Sequence, residues 1–118
     1  FRAIGVSLAG AALLAVARRA DRLEALAAET GCDVCVADVT QADDVARIAK
    51  AAAVDGVCHA LVNNAGGAIG FETVEAGGVD DWRAMFEVNT LGALRLTQAL
   101  LPALRAGGRG DEKKVDPT

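Results

Sequence analysis

The stretch "LVNNAGGAIG", residues 61–70, decides the fold. Two apolar residues lead directly into two amides, an Ala and two Gly, which is typical of a short buried strand that ends in a tight turn. The small residues Ala65 and Gly66 leave room for a flat ligand to lie against the backbone. The amides of Asn63 and Asn64 can both donate and accept hydrogen bonds. We therefore predict a strand over residues 59–62 that runs into a ligand-binding turn.

Strand patterns and helix patterns alternate on both sides of this turn. Residues 2–9 resemble the last turns of a helix, and apolar runs at 11–17 and 33–39 predict strands buried on both faces. Helical periodicity with N-terminal caps predicts three helices, which are one after Asp21, one after Thr40 and a long one from Asp80 to about Arg105. The alternation predicts an α/β protein with a parallel sheet, in which ligands bind beyond the carboxyl ends of the strands.

Length and charge limit the remaining possibilities. The 118 residues allow one domain at most, which we assign to 1–108, and the charged residues 109–118 are expected to form a disordered tail. A net charge of −4 argues against nucleic acid as a partner. The apolar run at 3–17 is too short to span a bilayer as a helix. A signal peptide is the alternative interpretation, but we favour a helix end followed by a buried strand, with no membrane partner and a cytoplasmic location.

The cysteines raise the question of a metal site. Cys32 and Cys35 have C-x-x-C spacing, which suggests either a metal knuckle or a redox pair. A structural zinc ion needs two more ligands, and the remaining candidates, Cys58 and His59, are adjacent to each other. The pair also lies in a strand-like run, so we predict buried or half-buried thiols in a reducing cytosol and no metal site.

Polar and basic side chains follow each predicted strand. A guanidinium at Arg18 can pair with a phosphate, Asp38 can accept from an exocyclic amine while Val39 packs on a ring, and Asn63 can meet a ribose hydroxyl. The alternative is that these residues bind no ligand and are solvated charges or turn residues. Asn89 lies on an apolar helical stripe, where a buried amide must find partners.

These motifs together resemble the short-chain dehydrogenases/reductases. "LVNNAG" at 61–66, "DVT" at 38–40, "ARRADRLEAL" at 17–26 and "MFEVNTLGALRLTQALLPAL" at 85–104 match that family's motifs in order. The resemblance implies a truncated Rossmann-like three-layer sandwich with the strands corresponding to 2, 3 and 4 and their helices. It also implies an NAD(P)-dependent oxidoreductase, which moves a hydride between the nicotinamide and a small carbonyl or alcohol substrate.

The resemblance assigns roles residue by residue. Asn89 falls on the active-site Asn, which holds a water between the catalytic Lys and a proton relay. Ala17 stands where NAD-preferring members carry an acidic residue, and Arg18 follows it, so the resemblance favours NADP(H) over NAD(H). The other cofactor-binding candidates are Arg19, Asp38, Val39, Asn63, Ala65 and Gly66. The segments around 63–72 and 80–89 favour 3-hydroxy acids such as serine as substrates, and the 81–105 helix is the expected surface for a homo-oligomer.

The chain departs from the family pattern in its catalytic groups. It contains no Tyr, and neither the glycine-rich turn nor the Ser and Tyr-x-x-x-Lys region is present. We therefore expect a fragment of a longer protein that is inactive by itself. The alternatives are a non-catalytic nucleotide-binding module and a non-functional truncated remnant.

Overall fold

A computed structural model describes residues 12–67 and 72–108. The predicted helix end at 2–9, the start of the first predicted strand and the predicted tail at 109–118 lie outside these residues. The chain divides between Asp38 and Val39 into two compact units, each with its own internal packing. The two units are described one after the other.

The first unit is a strand–helix–strand arrangement. Strand β1 (Leu14–Ala17) pairs in parallel with β2 (Asp33–Val36), and helix α1 (Ala20–Thr30) connects them. The register places Leu14 opposite Asp33 and Ala17 opposite Val36. Parallel strands joined by a helix confirm the predicted α/β class with a parallel sheet. Both strands are shorter than the apolar runs that predicted them.

Burial in this unit is lower than the continuous apolar runs suggested. All four residues of β1 are half-buried, and in β2 the buried Cys35 alternates with the exposed Val34 and Val36. This period of two is that of a strand with one covered face, so the prediction of strands buried on both faces is wrong for the described residues. Leu23 of α1 is buried, as expected for a helix that packs on the sheet.

Helix α1 ends as predicted but does not begin as predicted. Gly31 adopts a left-handed conformation with φ 72°, and its N–H bonds to the carbonyl of Ala27. Asp21 is not the cap, because the helix begins two residues earlier than predicted, after Arg19, with no side-chain cap bond. Asp21 instead lies in the first turn, where a carboxylate still interacts favourably with the helix dipole.

The second unit is mainly helical. Helix α2 (Ala42–Ala52) begins after Gln41, which makes no side-chain cap bond. The prediction that Thr40 is the N-cap is therefore wrong. Helix α2 packs against helix α4 (Ala93–Gly107). The core of this contact consists of four residues that are at most 8% exposed, Ile48, Leu96, Leu100 and Ala103.

A tight turn follows α2. Val54 and Val57 form an antiparallel bridge with two backbone hydrogen bonds of 3.1 and 3.0 Å. Asp55 and Gly56 between them have φ of 54° and 77°, and positive φ at both central residues is the pattern of a type I′ turn. Asp-Gly is one of the residue pairs that this turn prefers.

Residues 59–62 are irregular backbone and not the strand that the apolar run predicted. A strand exists only through ladder hydrogen bonds to a neighbouring strand. The backbone just before this stretch bonds to a helix instead, since the N–H of Cys58 donates to the carbonyl of Ala103 at 3.0 Å. A side chain at Gly107 would place its Cβ 2.3 Å from the Cys58 oxygen, so the two backbones touch here.

The long C-terminal helix is unbroken, but its middle is π-helical and not α-helical. Helix α3 (Val79–Phe86) passes into a π-helical segment (Glu87–Gly92), which passes into α4. The prediction of one long helix from Asp80 to about Arg105 is therefore confirmed in extent, with a wider turn in the middle. Trp82 and Phe86 are 58% and 55% exposed, so the aromatic end of the apolar stripe does not join the described core.

Candidate functional site

Asn63 connects the Asn-Asn-Ala-Gly turn to helix α4. Its side-chain Nδ2 donates to the hydroxyl of Thr97 at 3.0 Å. The same hydroxyl donates to the carbonyl of Ala93, one helical turn earlier, at 2.7 Å. Thr97 therefore acts as acceptor and donor at once, and its own position is determined by the helix backbone. The turn begins at a side chain with a defined location.

A second link joins the end of the turn to the π segment. The backbone N–H of Gly67 donates to Oδ1 of Asn89 at 2.8 Å, and Nδ2 of Asn89 donates to the carbonyl of Gly67 at 2.9 Å. The amide thus pairs with the backbone as a neighbouring strand would. Because an amide oxygen has two lone pairs and an amide nitrogen has two N–H groups, each atom has capacity for one further hydrogen bond. That capacity is sufficient to hold a water.

Gly66 is required by this link. A Cβ at Gly66 would lie 2.6 Å from Oδ1 of Asn89, well inside normal contact distances, and 3.4 Å from its Cγ. A Cβ at Gly67 would meet no atom of residues 12–67 or 72–108 within 4 Å. The backbone therefore packs on Asn89 at Gly66, and none of the described residues crowds the position of a Cβ at Gly67.

Asn89 is exposed, which corrects the expectation that it is a buried amide. An α-helix would place Asn89 in line with Met85, Ala93 and Leu96, but the π segment accommodates an extra residue in its turn and offsets the two ends of the stripe. The side chain lies at the surface of its unit with both polar atoms paired to Gly67. π-Helical segments inside α-helices are frequent at functional sites.

Val39 is buried against the end of the π segment. Its side chain packs on Gly92, where a Cβ would lie 2.7 Å from Cγ2 of Val39. Ala65 and Gly66 are exposed. Within the second unit the structure therefore brings Gly66 and Asn89 into contact, whereas Val39 and Asn63 contact other parts of the long helix.

The first unit carries the three remaining candidates. The N–H of Ala37 donates to the carbonyl of Ala17 at 2.9 Å, so the ladder continues past β2 and the two strand ends lie side by side. Arg18 follows β1 and is exposed, and Asp38 follows the other strand end and is half-buried. Arg19 is exposed, with its guanidinium 3.6 Å from the Asp21 carboxylate. Both guanidinium groups face solvent at the carboxyl end of a parallel pair.

The cysteines are thiols, and their burial agrees with the prediction. Cys35 is buried, while Cys32 and Cys58 are half-buried. Within residues 12–67 and 72–108, no three His, Cys, Asp or Glu side chains come together as metal ligands. None of the helices in this part of the chain is long and apolar enough to cross a membrane.

Two participants in the site were missed at the sequence level. Thr97 looks like an ordinary helical residue, and only its spacing of four from Ala93 permits the bond back to the helix. Gly67 was read as part of a small-residue run, although its backbone is what Asn89 holds. No local pattern reveals either contact, because both join residues more than 20 positions apart.

Comparison with known proteins places these features in a family. The family model for short chain dehydrogenases matches residues 3–111. An uncharacterized oxidoreductase of Mycobacterium tuberculosis is 50% identical over 98 residues, which are 83% of this chain and 38% of that protein. The NADP-dependent 3-hydroxy acid dehydrogenase of Salmonella typhi is 35% identical over 104 residues, which are 86% of this chain and 42% of that protein.

A solved structure gives the same result. The serine dehydrogenase of Escherichia coli superimposes with a TM-score of 0.73 at 29% identity, covering 82% of this chain and 46% of that one. The chain thus spans less than half the length of each of these proteins. The matched region includes the turn at 63–66, the strand ends and the long helix with Asn89. On this evidence the chain belongs to the short-chain dehydrogenase family of oxidoreductases.

Proposed function

We propose that the protein containing this chain is an NADP(H)-preferring dehydrogenase that oxidises a 3-hydroxy acid or reduces the corresponding carbonyl compound. The observation that carries the substrate class is the similarity to two proteins with related names, a 3-hydroxy acid dehydrogenase and a serine dehydrogenase. Family membership supports the reaction type, which is hydride transfer with a nicotinamide cofactor.

The cofactor preference rests on the end of β1. Ala17 offers no carboxylate to repel a 2′-phosphate, and the exposed guanidinium of Arg18 follows it directly. Arginine pairs with phosphate through two parallel hydrogen bonds, which gives geometric selectivity as well as attraction. We assign Arg18 to the 2′-phosphate, with Arg19 as a second cation whose interaction with Asp21 is exposed and therefore weak.

We assign the other candidates to the nucleotide by their chemistry. Asp38 would accept from the adenine amine and Val39 would support the ring, while Asn63, Ala65 and Gly66 would face the ribose and nicotinamide. None of the described residues lies within 4 Å of a Cβ at Gly67, which supports this role, since a planar group can approach a backbone that carries no side chain. When bound, the nicotinamide supplies or accepts the hydride.

Asn89 would order a water while it holds the turn. Its pairing with Gly67 leaves capacity for one accepted and one donated hydrogen bond, which is what a positioned water needs. In the resemblance this water belongs to a proton relay that includes a Lys and a Tyr. Because the 118 residues contain no Tyr, we propose that this chain alone does not turn over substrate.

Assembly and location are part of the same proposal. We assign residues 1–108 to the nucleotide-binding part and 109–118 to a tail. The exposed Trp82 and Phe86 support a homo-oligomer through the 81–105 helix, since large exposed aromatic side chains are frequent at protein interfaces. A cytoplasmic location suits three cysteines that are present as thiols.

The test is turnover by the full-length protein. NADP⁺ is incubated with serine and with 3-hydroxy acids of increasing chain length, and reduced nicotinamide is followed by its absorbance. We expect NADP⁺-dependent oxidation of at least one 3-hydroxy acid, with kcat lowered about 100-fold or more in Asn89→Ala, starting at the lower end of the usual range for loss of acid–base assistance. Absence of turnover with every 3-hydroxy acid, together with turnover of another alcohol class, would refute the substrate assignment.

A further inference from the structure

An ion pair spans the π segment that carries Asn89. Glu87 is the first residue of this segment, and Arg95 lies in α4, three residues beyond its end. The Nη1 of Arg95 donates to Oε1 of Glu87. Their side chains are 37% and 38% exposed, so the pair is partly shielded from solvent. Along the helix, Asn89 lies between the two residues of the pair.

The spacing of this pair is unusual for a helix. An α-helix turns about 100° per residue, so two side chains eight positions apart point in directions that differ by about 80° around the helix axis. A π segment takes an extra residue into its turn, which brings eight residues close to two full turns. The π register therefore aligns Glu87 with Arg95, and a regular α-helix would separate them.

Other ion pairs on these helices follow the ordinary pattern. Asp44 with Arg47 and Asp80 with Arg83 are three residues apart, a spacing that any α-helix brings together. The Asp80–Arg83 pair lies in α3, outside the π segment, and its side chains are 98% and 78% exposed. It stabilises no particular helical register beyond the α-helix itself.

We propose that Glu87 and Arg95 are positioning residues, whose ion pair holds the π register that presents Asn89 to Gly67. The inference rests on the proposed function in one respect, since the Asn89–Gly67 link belongs to the proposed nucleotide site. Loss of the ion pair frees the helix to return to α-helical turns, which rotates Asn89 away from the turn. The link at Gly67 then weakens while the core around Ile48 and Leu100 stays intact.

The experiment measures amide hydrogen exchange at Gly67 by NMR in the full chain. Wild type is compared with Glu87→Gln, Arg95→Gln and the reversed pair Glu87→Arg/Arg95→Glu, and Arg83→Gln is the matched control. We expect exchange at Gly67 about three- to fivefold faster in each single variant of the bridging pair, the scale of one partly exposed ion pair. The reversed pair should recover most of the protection, and Arg83→Gln should match wild type.

Three results would overturn the inference. These are an unprotected Gly67 amide in wild type, unchanged exchange in both single variants, or equal acceleration in Arg83→Gln. The measurement does not require cofactor or substrate. If Gly67 responds as expected but the full-length protein shows no nicotinamide-dependent turnover, the positioning role stands and the proposed function fails.

Discussion

A methyl group added at Gly66 tests the contact at the centre of the candidate site. In Gly66→Ala the new Cβ would lie 2.6 Å from Oδ1 of Asn89, so the amide must move. Movement breaks the two hydrogen bonds, of 2.8 and 2.9 Å, that join Asn89 to Gly67. The same methyl group in Gly67→Ala meets no atom of the described residues within 4 Å. The two variants therefore differ in one contact and in little else.

The expected size of the effect follows from these bonds. Two exposed hydrogen bonds at the lower end of the usual range contribute about 1–2 kcal/mol together. Replacing Gly by Ala also reduces the freedom of the unfolded chain, which offsets about 0.4–1 kcal/mol. We expect Gly66→Ala to lower the free energy of unfolding by about 1 kcal/mol, and Gly67→Ala to leave it unchanged or raise it by about 0.5 kcal/mol.

Urea unfolding with a double-mutant cycle measures this effect. In the Asn89→Ala background the obstacle is gone, so Gly66→Ala should no longer destabilise the chain. The resulting coupling between the two positions should be about 1 kcal/mol, which is typical of residues in direct contact. Equal effects of Gly66→Ala and Gly67→Ala, or the same effect of Gly66→Ala in both backgrounds, would refute the reasoning.

Four further substitutions test the packing and the tight turn of the second unit. Leu100→Ala removes a side chain that is 2% exposed and should lower the free energy of unfolding by about 2–5 kcal/mol. Leu94 is 49% exposed, so Leu94→Ala should lower the free energy of unfolding by less than about 1 kcal/mol. Equal midpoints of urea unfolding for the two variants would contradict this prediction. Gly107→Ala brings a Cβ to 2.3 Å from the carbonyl oxygen of Cys58, and we expect a loss of about 1–3 kcal/mol in the same assay, with an unchanged midpoint as the contrary result. Gly56→Ala retains a φ of 77° that Ala adopts poorly, so thermal unfolding should shift down by a few degrees, and a rise would be unexpected.

Periodicity predicted the elements better than their ends. The long helix and α2 were predictable because their apolar spacing persists over several turns. The caps at Asp21 and Thr40 were not, because α1 begins two positions before and α2 one position after the predicted start, where several polar residues compete. The Asp55–Gly56 turn carries a recognisable signal, because Asp-Gly is a residue pair that type I′ turns prefer.

Strand prediction failed where hydrogen bonding decided the outcome. Residues 59–62 have the composition of a buried strand, but a strand forms only beside a partner, and the backbone at Cys58 bonds to α4 instead. Composition records the apolar character of a segment and not the neighbour that it finds. The π segment was not predictable either, because the poor helix formers in "EVNTLG" lower the helix propensity without specifying a π turn.

The candidate site divides in the same way. The candidate residues could be proposed from their chemistry and from the family motifs, and their role in binding a cofactor stays a prediction. Their partners were not identifiable, since Thr97 and Gly67 act through long-range contacts that local sequence does not encode. The sequence therefore suggested the candidate residues, and the structure shows the hydrogen bonds that hold Asn63 and Asn89 in place.

The most direct test of the proposed cofactor measures whether Arg18 makes the protein prefer a nucleotide with a 2′-phosphate. The affinities of NADPH and NADH for the full-length protein are measured by calorimetry in wild type, Arg18→Ala and the control Arg22→Ala, an exposed arginine of α1. We expect wild type to prefer NADPH, and Arg18→Ala to weaken NADPH binding about 10- to 100-fold, the scale of a charge-assisted hydrogen bond, with NADH binding and Arg22→Ala unchanged. Equal affinities for the two cofactors in wild type, or an Arg18→Ala variant that binds NADPH as tightly as wild type, would contradict the assignment.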